Sequence, residues 1–148
     1  EGIREQIAWM VEQELLTHEQ AAVVPIEQIA AFFTGSLGRR VLTGREVQRE
    51  LPFTLALPAG ELYPELREYP DETVLVQGVV DCLVDEQNGY LLLDYKTDRI
   101  PAEQVERAAA RYRIQLNVYA RAVEDILGKQ VKEKYLYFFN PGIGVMLK

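Results

Sequence analysis

Two apolar, β-rich stretches, TVLVQGVVDCLV and YLLLDYKT, flank the short segment DEQNG. Asn-Gly between alternating or continuous apolar runs is a strong short-range signal for a β-hairpin. A hairpin fixes which residues stand opposite one another. A two-residue loop at Asn88-Gly89 sets Asp81 across from Lys96, and a loop at Gln87-Asn88 sets it across from Asp94. Side chains alternate along a strand, so with either loop Asp81, Asp94 and Lys96 are expected on one face. Opposed Cβ atoms lie about 5 Å apart, and like charges placed so repel. Two carboxylates among Val79, Val80, Leu92 and Leu93 are costly to bury without a partner. An Asp–Lys ion pair, a protonated Asp or a divalent cation between the carboxylates each relieves that cost, and hard cations prefer oxygen ligands. A simple Asp–Lys pair at the strand ends is the plainer alternative.

The rest of the chain predicts the frame around the hairpin. Residues 3–23 carry apolar positions at helical spacing, and a second helix, IEQIAAFFTG, follows Pro25 and ends at Gly35. SLGRRVL reads as a further helical piece. In REVQRELPFTLAL, Val47, Leu51, Phe53, Leu55 and Leu57 alternate as in a strand, with Pro52 pointing to an edge or bulge. Residues 58–72 hold three prolines and read as a loop. Pro101 opens one long helix that Gly128 closes, and KEKYLYFFN is the last expected strand. Strand and helix order imply an α/β fold, a mixed sheet flanked by helices.

Composition narrows the function classes. At 148 residues the chain fits one domain with a real core. No apolar run reaches the roughly 20 residues of a membrane span. The single Cys82 excludes an internal disulfide and a self-contained iron–sulfur cluster or multi-Cys zinc site, in keeping with a cytoplasmic protein. The net charge of −7 argues against a broadly basic nucleic-acid surface. Arg107, Arg111, Arg113 and Arg121, and Lys129, Lys132 and Lys134, form local clusters that read as solvated faces. The absence of an initiator Met and the ending GVMLK suggest a piece of a longer chain.

The stretch GVVDCLVDEQNGYLLLDYKTDR resembles the core of the PD-(D/E)xK nuclease superfamily, and within it the RecB-type nuclease domain of bacterial helicase–nucleases. Gly78-Val79-Val80-Asp81 is similar to the G-x-x-D strand and Asp94-Tyr95-Lys96-Thr97 to the D-Y-K-[ST] strand. Gln115 and Tyr119 match the helical Q-x-x-x-Y motif. Glu50, in RELPF, matches an upstream acid followed by Pro and an aromatic. The upstream helices and RELPFTLALPAG look most like the AddA branch of the AddAB helicase–nucleases.

The resemblance implies a restriction-endonuclease-like fold, with residues 1–44 as a helical N-terminal part and 45–139 as the nuclease core of a single domain. It implies a Mg²⁺- or Mn²⁺-dependent deoxyribonuclease that processes double-strand breaks for recombinational repair. Asp81, Asp94 and the backbone carbonyl of Tyr95 would hold the metal. Lys96 would orient water or stabilise charge, while Gln115, Tyr119 and Glu50 would support the site. The implied partners are DNA, helicase domains of the same chain and a separate AddB-like protein. RecB-type domains also carry a metal-ligating His upstream, in a G-x-x-x-H setting. His18, the only histidine, lacks that setting and reads as an exposed helix-end residue. A catalytically inactive module that binds a partner or DNA, or a stand-alone repair nuclease, are the alternative functions.

Overall fold

A computed structural model describes residues 2–148. Four helices come first: α1 (Gly2–Glu12), α2 (His18–Ala22), α3 (Ile26–Thr34) and α4 (Ser36–Thr43). The single helix expected over residues 3–23 is broken. Thr17 caps α2 by accepting from the Gln20 N–H, and the Gln20 side chain accepts from the Thr17 N–H in return. That capping box starts a new helix, and Glu14, at φ 57°, turns the chain before it. His18 is the exposed first residue of α2, as expected.

The strands are β1 (Glu46–Pro58), β2 (Thr73–Glu86), β3 (Gly89–Lys96), β4 (Val131–Phe138) and β5 (Ile143–Leu147). They form one sheet in the order β1-β2-β3-β4-β5, with β3 and β4 parallel and every other pair antiparallel. Pro52 therefore sits in an edge strand, where its missing N–H costs nothing to the ladder. The segment 58–72, expected as a loop, contains the short helix α5 (Ala59–Leu62) and a single 3₁₀ turn. β5 was not expected. Pro141 and Gly142 separate it from β4, and its alternation of Ile143, Val145 and Leu147 is too short to stand out in the sequence.

Helices cover both faces. α6 (Val105–Ala110) and α7 (Arg113–Leu127) pack on one side, with Val105, Ala109, Leu116 and Val123 against Leu83, Leu92, Leu136 and Phe138. α3 and α4 pack on the other, with Phe32, Leu37 and Val41 against Cys82, Val84, Leu91 and Leu93. α6 and α7 replace the one long helix expected after Pro101. The chain between them tightens into i→i+3 bonds, Arg111 N–H to Ala108 O and Tyr112 N–H to Ala109 O, with neither Pro nor Gly at the break. Gly128 closes α7 in the left-handed conformation, φ 68°, as its position predicts.

Arg40 ties α4 to the sheet. Its guanidinium donates two bonds to Glu86 at 2.8 Å and two to Glu133 at 2.8 and 3.1 Å. Much of the remaining charge is also paired locally: Arg121 with Glu61, Lys129 with Asp85, and Lys134 with Asn117.

Candidate active site

The hairpin closes through Gln87-Asn88, not Asn88-Gly89: Glu86 faces Gly89 and Cys82 faces Leu93. Gly89 is the first residue of β3, at φ 146°, and a Cβ there would come within 2.8 Å of the Gln130 carbonyl oxygen. Both a left-sided backbone and a close neighbour therefore require glycine at that position.

The β2–β3 ladder stops at Cys82–Leu93. One step further on, a side chain takes over from the backbone. Oδ2 of Asp81 accepts the Tyr95 backbone N–H at 2.8 Å. Strand N–H groups lie in the plane of the sheet, so this carboxylate points across the gap between the strands rather than standing on either face.

The reason lies in a turnover of the β1–β2 ribbon. In β2, Val76 and Val80 face α6 and α7, yet Cys82 and Val84 face α3 and α4. In β1, Leu51, Phe53 and Leu55 face α6 and α7, whereas Val47 faces the other way. Strict alternation forbids both patterns. The switch falls between Arg49 and Leu51 on β1 and between Val80 and Cys82 on β2. The two residues skipped in the register are Glu50 and Asp81. Glu50 has φ 51°, a left-handed backbone that costs a non-glycine residue about 1–2 kcal/mol. The expectation that Asp81 shares one face with Asp94 and Lys96 is thereby corrected. Parity holds along β3, where Asp94 and Lys96 share the α6–α7 face, and fails at Asp81 because its strand turns over.

Asp94 is the one buried charged residue among those described, at 3% exposure. Lys96 Nζ lies 2.7 Å from its Oδ2. The approach is off the line of a hydrogen bond, so Oδ2 is in ionic contact but accepts no hydrogen bond. Burial pushes the Asp94 carboxyl above the usual carboxylate range; Lys96 pulls it back in part, and the charge of Asp81 adds to the rise. The Lys96 ammonium also lies over the Tyr112 ring, 4.0 Å from its centroid. Tyr112, at the α6–α7 break, was not singled out in the sequence. Its spacing gives the one available signal: it precedes Gln115 by three residues, hence the same helix face.

On that face Gln115 Nε2 donates to the Tyr119 hydroxyl at 2.8 Å. The Tyr119 ring meets Phe53 edge-on at 5.1 Å. Both rings press on Gly78, where a Cβ would fall within 2.7–2.9 Å of their atoms. Gly78 is thus small because two aromatics occupy its side-chain space. Glu50 is exposed, stands across from Asp81 in register, and makes no side-chain hydrogen bond among the described residues. Behind the strand, Tyr95 packs against Phe32 and Phe139 at 5.5 Å each, and its hydroxyl meets the Cys82 thiol. Burial pushes both of these groups up, so Cys82 stays a protonated core thiol rather than a nucleophile.

A buried carboxylate oxygen without a hydrogen bond, next to a second carboxylate, fits a hard divalent cation. No three His, Cys, Asp or Glu side chains converge among the described residues. Two carboxylates plus a backbone oxygen is a set that suits Mg²⁺, which keeps several waters and takes substrate phosphate oxygens as further ligands.

The model of the PD-(D/E)XK nuclease superfamily matches residues 4–144. The chain belongs to that superfamily. Its fold, a mixed five-stranded sheet between helical layers, is the restriction-endonuclease-like arrangement that the motifs implied. Three relatives place this superfamily member more narrowly, each of them the A subunit of an ATP-dependent helicase/nuclease. The protein from Pelotomaculum thermopropionicum is 66% identical over 97% of this chain and 11% of its own length. Its counterpart in Desulforamulus reducens is 52% identical over 96% and 11%. That of Thermoanaerobacter sp. is 48% identical over 97% and 12%. The chain thus resembles the AddA branch and spans about a ninth of the length of these relatives.

Proposed function

We propose that this chain is the nuclease domain of an AddA-type helicase–nuclease and hydrolyses DNA phosphodiesters at Asp81, Asp94 and Lys96. The observation that carries the site is the buried, hydrogen-bond-free Oδ2 of Asp94 beside Lys96, facing the gap that Asp81 spans. Asp81, Asp94 and the carbonyl of Tyr95 would hold Mg²⁺ or Mn²⁺. When bound, such an ion polarises the scissile phosphate and lowers the pKa of a coordinated water.

The chain's own groups do the rest. The Tyr95 N–H fixes the Asp81 carboxylate before any ligand arrives. Tyr112 keeps Lys96 at the site once Asp94 is engaged elsewhere. The Lys96 ammonium then orients the attacking water and stabilises charge on the phosphoryl oxygens. Gln115 orients the Tyr119 hydroxyl, whose own proton remains available to a water or phosphate oxygen. Glu50, held in a strained conformation opposite Asp81, supports the metal-facing side from the neighbouring strand.

In the longer protein, helicase domains and an AddB-like partner would deliver the strand, and double-strand-break processing in the cytoplasm would be the task. The names and high identity of the relatives support this reading. No helix among the described residues is long and apolar enough to cross a membrane. The test is cleavage of labelled single-stranded DNA with Mg²⁺ or Mn²⁺, alongside calorimetric titration of Mn²⁺. Asp94→Ala should abolish both cutting and binding. Unchanged cutting in that variant sinks the assignment.

A further inference from the structure

On the α3 side of the sheet a cavity of about 550 Å³ opens beyond the C-terminal ends of β3 and β4. These two strands are the parallel pair, and ligands of α/β sheets gather outside the carboxyl ends of such strands. Thr97 and Arg99 follow β3 into the wall, Phe139 and Asn140 follow β4, and Gln28 and Ile29 come from α3.

The polar groups here are uncommitted. Among the described residues, the side chains of Gln28, Thr97, Arg99 and Asn140 enter no hydrogen bond or ion pair. The apolar wall is rigid. Phe139 is braced by Phe32, Tyr95 and Tyr137 at 5.7, 5.5 and 5.0 Å between ring centroids. A few converging polar groups on an apolar, preformed wall mark a ligand site. A fixed aromatic, a guanidinium and two free amides match the three parts of a single-stranded nucleotide: base face, phosphate and base edge. A simple anion would leave the aromatic and the amides without a role.

The position supplies the connection. Thr97 is the residue after Lys96, and Arg99 lies at most about 10 Å beyond Lys96 along extended chain. We propose that the cavity binds one unpaired nucleotide of the strand being cut, adjacent to the scissile phosphate. Its base lies against Phe139 and Ile29, its phosphate on Arg99 and its base edge toward Gln28 and Asn140. This subsite rests on the nuclease function proposed for Asp81, Asp94 and Lys96.

Fluorescence anisotropy with a labelled thymidylate octamer, in EDTA to prevent cutting, tests it. Arg99→Ala should weaken binding about tenfold and reduce the slope of log affinity against log salt by about 0.7, one single-strand phosphate contact. Val23→Trp, at a lining position 78% exposed and so free of folding cost, should block the cavity and weaken binding with the slope unchanged. Thymidine 5′-monophosphate should compete better than inorganic phosphate. The subsite is overturned if the wild type binds no octamer at low salt, if both variants bind like the wild type, or if phosphate competes equally well. Parallel cleavage assays separate the two ideas. Cutting that Asp94→Ala abolishes, together with unaltered octamer binding in Arg99→Ala and Val23→Trp, refutes the cavity alone. Cutting that survives Asp94→Ala refutes the catalytic site itself.

Discussion

The Lys96 ammonium is shared between two side chains of opposite kind, 2.7 Å from Oδ2 of Asp94 and 4.0 Å from the centroid of the Tyr112 ring. A cation that occupies Asp94 must displace the ammonium, and the ring is then its remaining anchor. Cation–π contacts contribute about 0.5–2 kcal/mol, more when desolvated. Tyr112→Phe should therefore cut DNA within about twofold of the wild type. Tyr112→Leu should lose about 3- to 30-fold in kcat with little change in KM. Ring-current shifts of the Lys96 methylenes by NMR, present in the Phe variant and absent in the Leu variant, separate positioning from general destabilisation.

Asp94 gives the fold a characteristic pH dependence. Its folded pKa is raised, first by burial. Such a carboxyl favours the fold while protonated; this contribution is full below the unfolded pKa of about 3.9 and is lost as pH rises through the folded value. Asp94→Asn removes the titration. In the metal-free protein its Tm should exceed that of the wild type at neutral pH, by a gap that closes as pH falls toward about 4. Thermal melts across pH check this, and a gap independent of pH contradicts it.

At Glu50 stability and function should part. Glu50→Gly relieves the left-handed backbone and should stabilise the fold by about 1 kcal/mol, while cutting falls. Glu50→Gln keeps the strain and should lower activity at unchanged stability. Denaturant titration alongside cleavage rates reads both. Full activity in each variant removes Glu50 from the site.

Arg40 is a structural clamp, outside the chemistry. Its side chain is 28% exposed, and those of its partners Glu86 and Glu133 are 33% and 35%, so screening reduces the worth of the pairs. Arg40→Met should destabilise by about 1–2 kcal/mol, less at high salt. Arg40→Lys should rescue little, because one ammonium cannot donate two bonds to each of two carboxylates. The Arg40 guanidinium holds Glu133 below the usual carboxylate range. That stabilisation, present at neutral pH, should fade on acidification in the wild type and be missing in the Met variant. Urea midpoints at two pH values are the measurement.

The hairpin, the mixed sheet and the pairing of Asp94 with Lys96 were legible in the sequence, because period-two alternation and the short turn control them directly. The position of Asp81 was legible only in part. Its neighbourhood follows from the hairpin, but its direction depends on a turnover at Glu50, where nothing in RELPF marks a left-handed residue. Pro52, the visible irregularity, proved to be an ordinary edge residue. Tyr112 stayed hidden because the helix break that aims it contains no breaking residue. The apolar count of β5 was simply too small to rise above the surrounding turn.

The bond from Asp81 to the Tyr95 N–H has one further consequence. A residue that would meet the metal also stands in for a missing rung of the sheet, so its orientation is set when the chain folds. The same oxygen closes the hydrogen-bond lattice and aims the carboxylate. Asparagine at 81 can preserve the rung through its side-chain carbonyl while surrendering the charge. Alanine surrenders both. Architecture and reactivity here are inherited together, through a single atom.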